Sequence, residues 1–216
     1  MKSPRALTDL PFHSMLEETG ERPIPSSDFE IAHFSGLDFT DVDADGSRFT
    51  ECAFSEVAFG QSRWRRAKFN DVWLGGSQLV GTDLVESQWL DSEFVTCALA
   101  GTATFDTVMN RVEFHGCKLV SVNLREAALT DVTFRNCVLR DVDFVGAGLT
   151  RVSFPGSHLL GVNFDRAVMD RTDIRGAGEI AIQTGSGSLK GLTISTAQLA
   201  VLAPAFAASL EVTVED

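Results

Sequence analysis

The sequence predicts an all-β solenoid closed by a short C-terminal α-helix, and three observations predict it. Every fifth residue from Phe34 to Ile174 falls in one register, and 27 of those 29 slots hold Phe, Leu, Trp, Met or Ile. Two places before each slot stands Ala, Ser, Thr, Val or Cys in 28 of 29 cases, Leu37 being the exception. From Ser195 the pattern changes to apolar residues spaced by three and four. A period of five fits neither a helix nor an uninterrupted strand, so the chain must turn after each short extended segment. Within a segment the large residue and the small one two before it share the inward face. The other three positions carry the charge, glycine and polarity of surface and corners.

Units such as Val122-Asn123-Leu124-Arg125-Glu126, Val142-Asp143-Phe144-Val145-Gly146 and Val162-Asn163-Phe164-Asp165-Arg166 resemble the A(D/N)Lxx repeat of the pentapeptide-repeat proteins. The resemblance covers residues 27–176. The period alone allows three, four or five sides per coil. The resemblance implies four, hence a right-handed quadrilateral parallel β-helix of just over seven coils, about 35 Å long. With twenty residues per coil, Phe34, Phe54, Leu74, Phe94, Phe114, Phe134, Phe154 and Ile174 stack in one interior column, and Phe39, Phe59 and a run of leucines in the next. These aromatics read as core, and no cofactor box is implied. Ala44 and Thr104 break the large slot. At Thr104 either a bulge carries Phe105 inward, or Phe105 stays outside with Val80, Val85, Leu90 and Val95 on a greasier exterior of the middle coils.

The ends depart from the register. Residues 1–26, with four prolines, form an N-terminal extension that is mobile or laid along the solenoid. Residues 177–194 read as an irregular final coil, because Glu179 and Thr184 occupy large slots before Leu189 and Ile194 return to phase. Residues 195–216 read as a helix and a strand-like Glu211–Val214. Ser195 and Gln198 form a capping box, Leu199, Leu202, Phe206 and Leu210 an apolar stripe, and Pro204 should kink or shorten the helix. The element looks like the C-terminal cap of the MfpA and Qnr branches, which implies a homodimer joined through those four apolar residues. A helix that caps its own coil is the alternative.

Composition limits the chemistry. A chain of 216 residues with a formal net charge of −12 repels nucleic acid and anionic bilayers and suits a basic protein partner. No apolar run of signal-peptide or membrane-spanning length occurs, so the chain reads as soluble and cytoplasmic. Cys52, Cys97, Cys117 and Cys137 all occupy the small slot and read as reduced, buried thiols. No HExxH, GxSxG, phosphate-binding loop or paired CxxC motif is present, the four histidines lie in the extension or on outward slots, and no ranked Thr-x-Thr pairs suggest ice binding. The reading is a non-enzymatic protein with no cofactor, metal or catalytic residue.

Charge is more informative than motif. Residues 28–60 hold eight carboxylates against Arg48, whereas residues 121–176 balance seven Arg with seven acids. On a four-sided coil Glu86, Asp91, Glu93, Asp106, Glu113, Glu126 and Asp131 are expected to gather along one edge, with Arg111 interrupting. The resemblance to MfpA- and Qnr-type members implies a DNA mimic that binds a type II topoisomerase, DNA gyrase, through such an edge and protects it from quinolones or peptide toxins. The register runs from Phe34 to Ile174 without a loop insertion, which favours the loop-free MfpA branch. The alternative is a general interaction scaffold with an unrelated partner. Arg63, Arg65, Arg66 and Lys68, around inward Trp64 and near outward Trp73, read as counter-charges or a protein contact rather than a nucleic-acid site.

Overall fold

Each five-residue segment is extended and then turns through one residue in the left-handed region. Every fifth residue from Ser26 to Arg171 has φ between 48° and 70°. For a residue with a Cβ this conformation costs of order 1–2 kcal/mol, so something must hold it. The hold is a ladder bond: the corner N–H donates to the carbonyl nineteen residues later, as Glu86 does to Phe105 and Asp106 to Arg125, both at 3.0 Å.

The computed structural model describes residues 3–214. Twenty residues return the chain to the same side, so that Phe34 pairs with Phe54, Phe54 with Leu74, and Phe114 with Phe134, all in parallel. Three sides are parallel sheets of seven, six and eight strands, named here the Phe34, Phe39 and Phe49 faces after one large residue in each. The fourth, the Trp64 face, is a ladder of single parallel bridges running from Asp43 to Asn163. The result is a four-sided parallel β-solenoid of about 8 turns with one short C-terminal helix.

The interior is the predicted column structure. Rings of Phe94, Phe114, Phe134 and Phe154 stack at centroid distances of 4.5, 4.8 and 5.2 Å. The small slot admits Ser, Thr and Cys because each can donate to a carbonyl of the previous coil. Thr82 bonds Phe59 O at 2.6 Å, Ser157 bonds Phe134 O at 2.8 Å, and the Cys117 thiol points at Phe94 O at 3.4 Å. All four cysteines are free and buried, and burial pushes the Cys52 thiol up to about 11. The same slot satisfies the two inward indoles, Trp64 donating to Ser62 and Trp89 to Ser87. At Thr104 no bulge forms. Thr104 is buried and donates to Asn123 O, while Phe105 remains outside.

At the N-terminal end, residues 3–18 lie along the Phe34 face. Leu10 and Phe12 pack on Ala53 and Trp73, and Glu17–Glu18 pairs in parallel with Ala32 and His33. At the other end the irregular coil carries one-residue register shifts: Leu159 pairs with Ile180, not Glu179, Val162 returns to the twenty-residue spacing with Ile182, and Asn163 slips again to Thr184. The shifts remove Glu179 from the large slot and put isoleucines against the core.

Helix α1 spans Thr196–Ser209, with the predicted reciprocal cap between Ser195 and Gln198. It runs past Pro204, contrary to the predicted shortening. Proline at this position removes one hydrogen bond, but it is flanked by Leu202, which is buried, and Phe206, which packs against the solenoid core. Gln198 Nε2 donates to Ile174 O and Ala177 O, so α1 closes its own last coil. Of the four residues of the predicted dimerisation stripe, Leu202 is buried, Phe206 is half-buried against the solenoid, and Leu199 and Leu210 are exposed. Glu211–Val214 forms no strand.

Candidate functional site

The left-handed corners decide where charge can stand. A residue held there points away from the coil and recurs every twenty residues, so like corners build a row along the solenoid. Glu86, Asp106 and Glu126 occupy three successive rungs of the corner between the Trp64 and Phe49 faces. Asp91 and Asp131 sit on the next corner round, between the Phe49 and Phe34 faces, with Arg111 on the rung between them. Glu93 and Glu113 lie within the Phe34 face, paired strand to strand. The expected single edge is therefore three sites, because five residues advance the chain by one whole side of the square.

These sites differ in charge. Arg111 grips Asp91 with two nitrogens, Nη2 lying 2.7 Å from Oδ2, and Arg151 grips Asp131 the same way at 2.6 Å. Those hydrogen bonds hold both carboxyls below the usual carboxylate range. Asp71, one rung above Asp91, is pushed the other way by burial and by the Asp91 charge. Glu93 is only 3% exposed. It accepts from Arg5 N at 3.0 Å and Arg5 Nε at 2.6 Å, with His115 Nε2 at 3.3 Å. His115 also reaches Glu113 at 2.9 Å. Glu93 is thus not a surface charge, and His115, expected on an outward slot, is buried.

What remains is the Glu86–Asp106–Glu126 row. All three are exposed. Glu86 has Arg66 at 4.0 Å, and neither Asp106 nor Glu126 has an ion pair among the described residues. Gly146 follows on the same corner, and a Cβ there would strike the Glu126 carboxylate. The basic cluster is consumed locally: Arg63 bonds Asp43 and Asp45, and Arg65 bonds Asp83. Trp73, though on an outward slot, is covered by the N-terminal segment and donates to Arg5 O. Sequence reasoning missed the Arg5–Glu93–His115 contact. Its one legible signal was Trp73, Glu93 and Glu113 standing in one twenty-residue column. Among the described residues no group of three or more His, Cys, Asp or Glu side chains could hold a metal ion.

The coil geometry and the corner rows define a four-sided parallel β-solenoid, and a family model described as "Pentapeptide repeat region" matches residues 87–164. Among solved structures the chain is similar to a trypsin-treated single-residue variant of QnrB1, a plasmid-mediated fluoroquinolone resistance protein. The TM-score is 0.66 at 14% identity, over 92% of this chain and 96% of that one. It also matches HetL, a pentapeptide repeat protein involved in heterocyst differentiation regulation in the cyanobacterium Nostoc. There the TM-score is 0.35 at 16% identity, over 81% of this chain and 92% of that one. No curated protein matches the sequence. At 14% identity the likeness to the QnrB1 variant establishes the fold alone.

Proposed function

We propose that this protein is a non-enzymatic DNA mimic that binds a type II topoisomerase, DNA gyrase, and shields it from inhibitors such as quinolones. The observation that carries the reading is the row of Glu86, Asp106 and Glu126, three exposed carboxylates on consecutive rungs. Coils stack about 4.8 Å apart, and one strand of duplex DNA presents a phosphate about every 3.4 Å. The row is therefore a sparse copy of one phosphate backbone, presented on a rod. The fold shared with QnrB1, a fluoroquinolone resistance protein, supports the reading. No helix among the described residues is long and apolar enough to cross a membrane, and action on gyrase would be cytoplasmic. Gyrase supercoiling measured against rising protein, with and without a quinolone, tests the proposal: inhibition or drug protection at micromolar protein is expected, and the absence of both rejects it.

A general interaction scaffold with another protein partner is the second reading. It is favoured by the exposed Val80, Phe105 and Val108 of the middle coils.

In either reading we propose a homodimer through the side of α1 that carries Leu199 and Leu210, which are 48% and 73% exposed. Leu199→Glu combined with Leu210→Glu should halve the mass seen by sedimentation and leave the solenoid folded. An unchanged mass excludes this joint.

A further inference from the structure

We propose that the Phe34 face carries a docking groove for an arginine-led segment of a partner protein with two apolar anchors, and that residues 5–16, folded as two short 3-10 turns, fill this groove in cis as an exchangeable strap. The strap is attached as a bound peptide is, by anchors and not by a ladder. Between Ala6 and Leu16 its described backbone hydrogen bonds are local, such as Leu10 N to Leu7 O and Leu16 N to His13 O. Among the described residues only Arg5 hydrogen-bonds the solenoid in this stretch, through its N, Nε and O. The apolar anchors, Leu10 and Phe12, form with Ala53 and Trp73 a cluster separate from the solenoid core.

The surface beneath is shaped for such an occupant. The Trp73 indole lies across Gly75 so closely that a Cβ at that position would collide with the ring. It makes a flat platform whose Nε1 is aimed at a backbone carbonyl of the occupant. Next to it stands Glu93, a nearly buried carboxylate whose two oxygens both accept from Arg5. A buried carboxylate stripped of its cation is strongly unfavourable, so the strap should leave only when another cation arrives. Exchange is therefore favoured over simple release. Past Arg5 a groove of ≈ 530 Å³ continues, lined by Asp71, Asp91, Glu113 and Asp131 with Arg111 as its other cation. Asp91 and Asp131 are matched by Arg111 and Arg151, so the negative charge that selects a basic incoming segment is that of Glu93, once Arg5 leaves it, and of Asp71. This surface is separate from the Glu86–Asp106–Glu126 row, and the proposal does not rest on gyrase binding.

The test uses the full chain and, as probe, a fluorescent synthetic peptide of residues 3–18. In wild type the resident strap competes at high effective concentration, which lowers apparent affinity for the probe by the fraction of open groove. The Arg5→Ala, Leu10→Ala, Phe12→Ala triple variant should bind the probe about tenfold or more tightly than wild type. Binding should weaken with salt, and adding Glu93→Gln should remove it. A triple variant that melts like wild type yet binds no better overturns the proposal. If the triple variant does not fold, Arg5→Ala alone is read by hydrogen exchange at the Leu10 and Leu16 amides. Faster exchange there, with unchanged solenoid amides, supports an exchangeable strap, and unchanged exchange rejects it.

Discussion

Phe134→Ala is expected to lower stability by about 3–5 kcal/mol. Phe134 is fully buried, and its ring stacks between Phe114 at 4.8 Å and Phe154 at 5.2 Å. Truncation removes the transfer energy of the ring and leaves a cavity that cannot collapse, since every rung around it is fixed by ladder bonds on both sides. In a solenoid each coil contacts only its neighbours, so the damage should concentrate on the coils carrying Phe114 and Phe154. Urea denaturation followed by far-UV circular dichroism measures the loss, and hydrogen exchange locates it. A cost below about 1 kcal/mol would mean that the ring is not a packed rung.

The second large effect concerns the acidic row. Replacing Glu86, Asp106 and Glu126 together by Lys is expected to abolish inhibition of gyrase supercoiling and to leave the melting temperature nearly unchanged. Lysine should be tolerated at these corners, because Gln61, Arg66 and Arg151 already hold the same left-handed conformation. Exposed substitutions of this kind usually fall within about 0.5 kcal/mol each. Asp91→Asn provides the control. Its carboxylate is already matched by Arg111, so removing it should leave inhibition close to wild type. Equal loss from the control and the triple variant would show that total charge, not the row, is recognised.

The repeat interior was fully legible, because the large slot reports burial directly: Phe34, Phe94, Phe114 and Phe154 are all buried where the period puts them. The register shifts at the last coil were half legible. Glu179 and Thr184 announced a fault, but only the pairing of Leu159 with Ile180 shows where the register first shifts. The surface was read less well, for a physical reason. Residues 86 and 91 are near in sequence, yet a five-residue side carries them to different corners, and ion pairing depends on the neighbour twenty residues away. Asp91 and Asp131 therefore looked like Glu86 until Arg111 and Arg151 were seen to face them. The burial of Glu93 was not legible at all. It depends on Arg5, 88 residues earlier and in a segment with no register. The orientation of the α1 stripe was half legible. Spacing identified an apolar face on α1 but could not say that its own coil would take Leu202 and Phe206.

The proposed function comes down to whether gyrase treats this acidic rod as duplex DNA. Competition decides this most directly: labelled protein bound to gyrase is titrated with linear duplex DNA at several salt concentrations. The account predicts displacement by DNA and weaker binding as salt rises, since both ligands would use the same cationic surface. Protein that stays bound while DNA saturates the enzyme, or binding indifferent to salt, would contradict it.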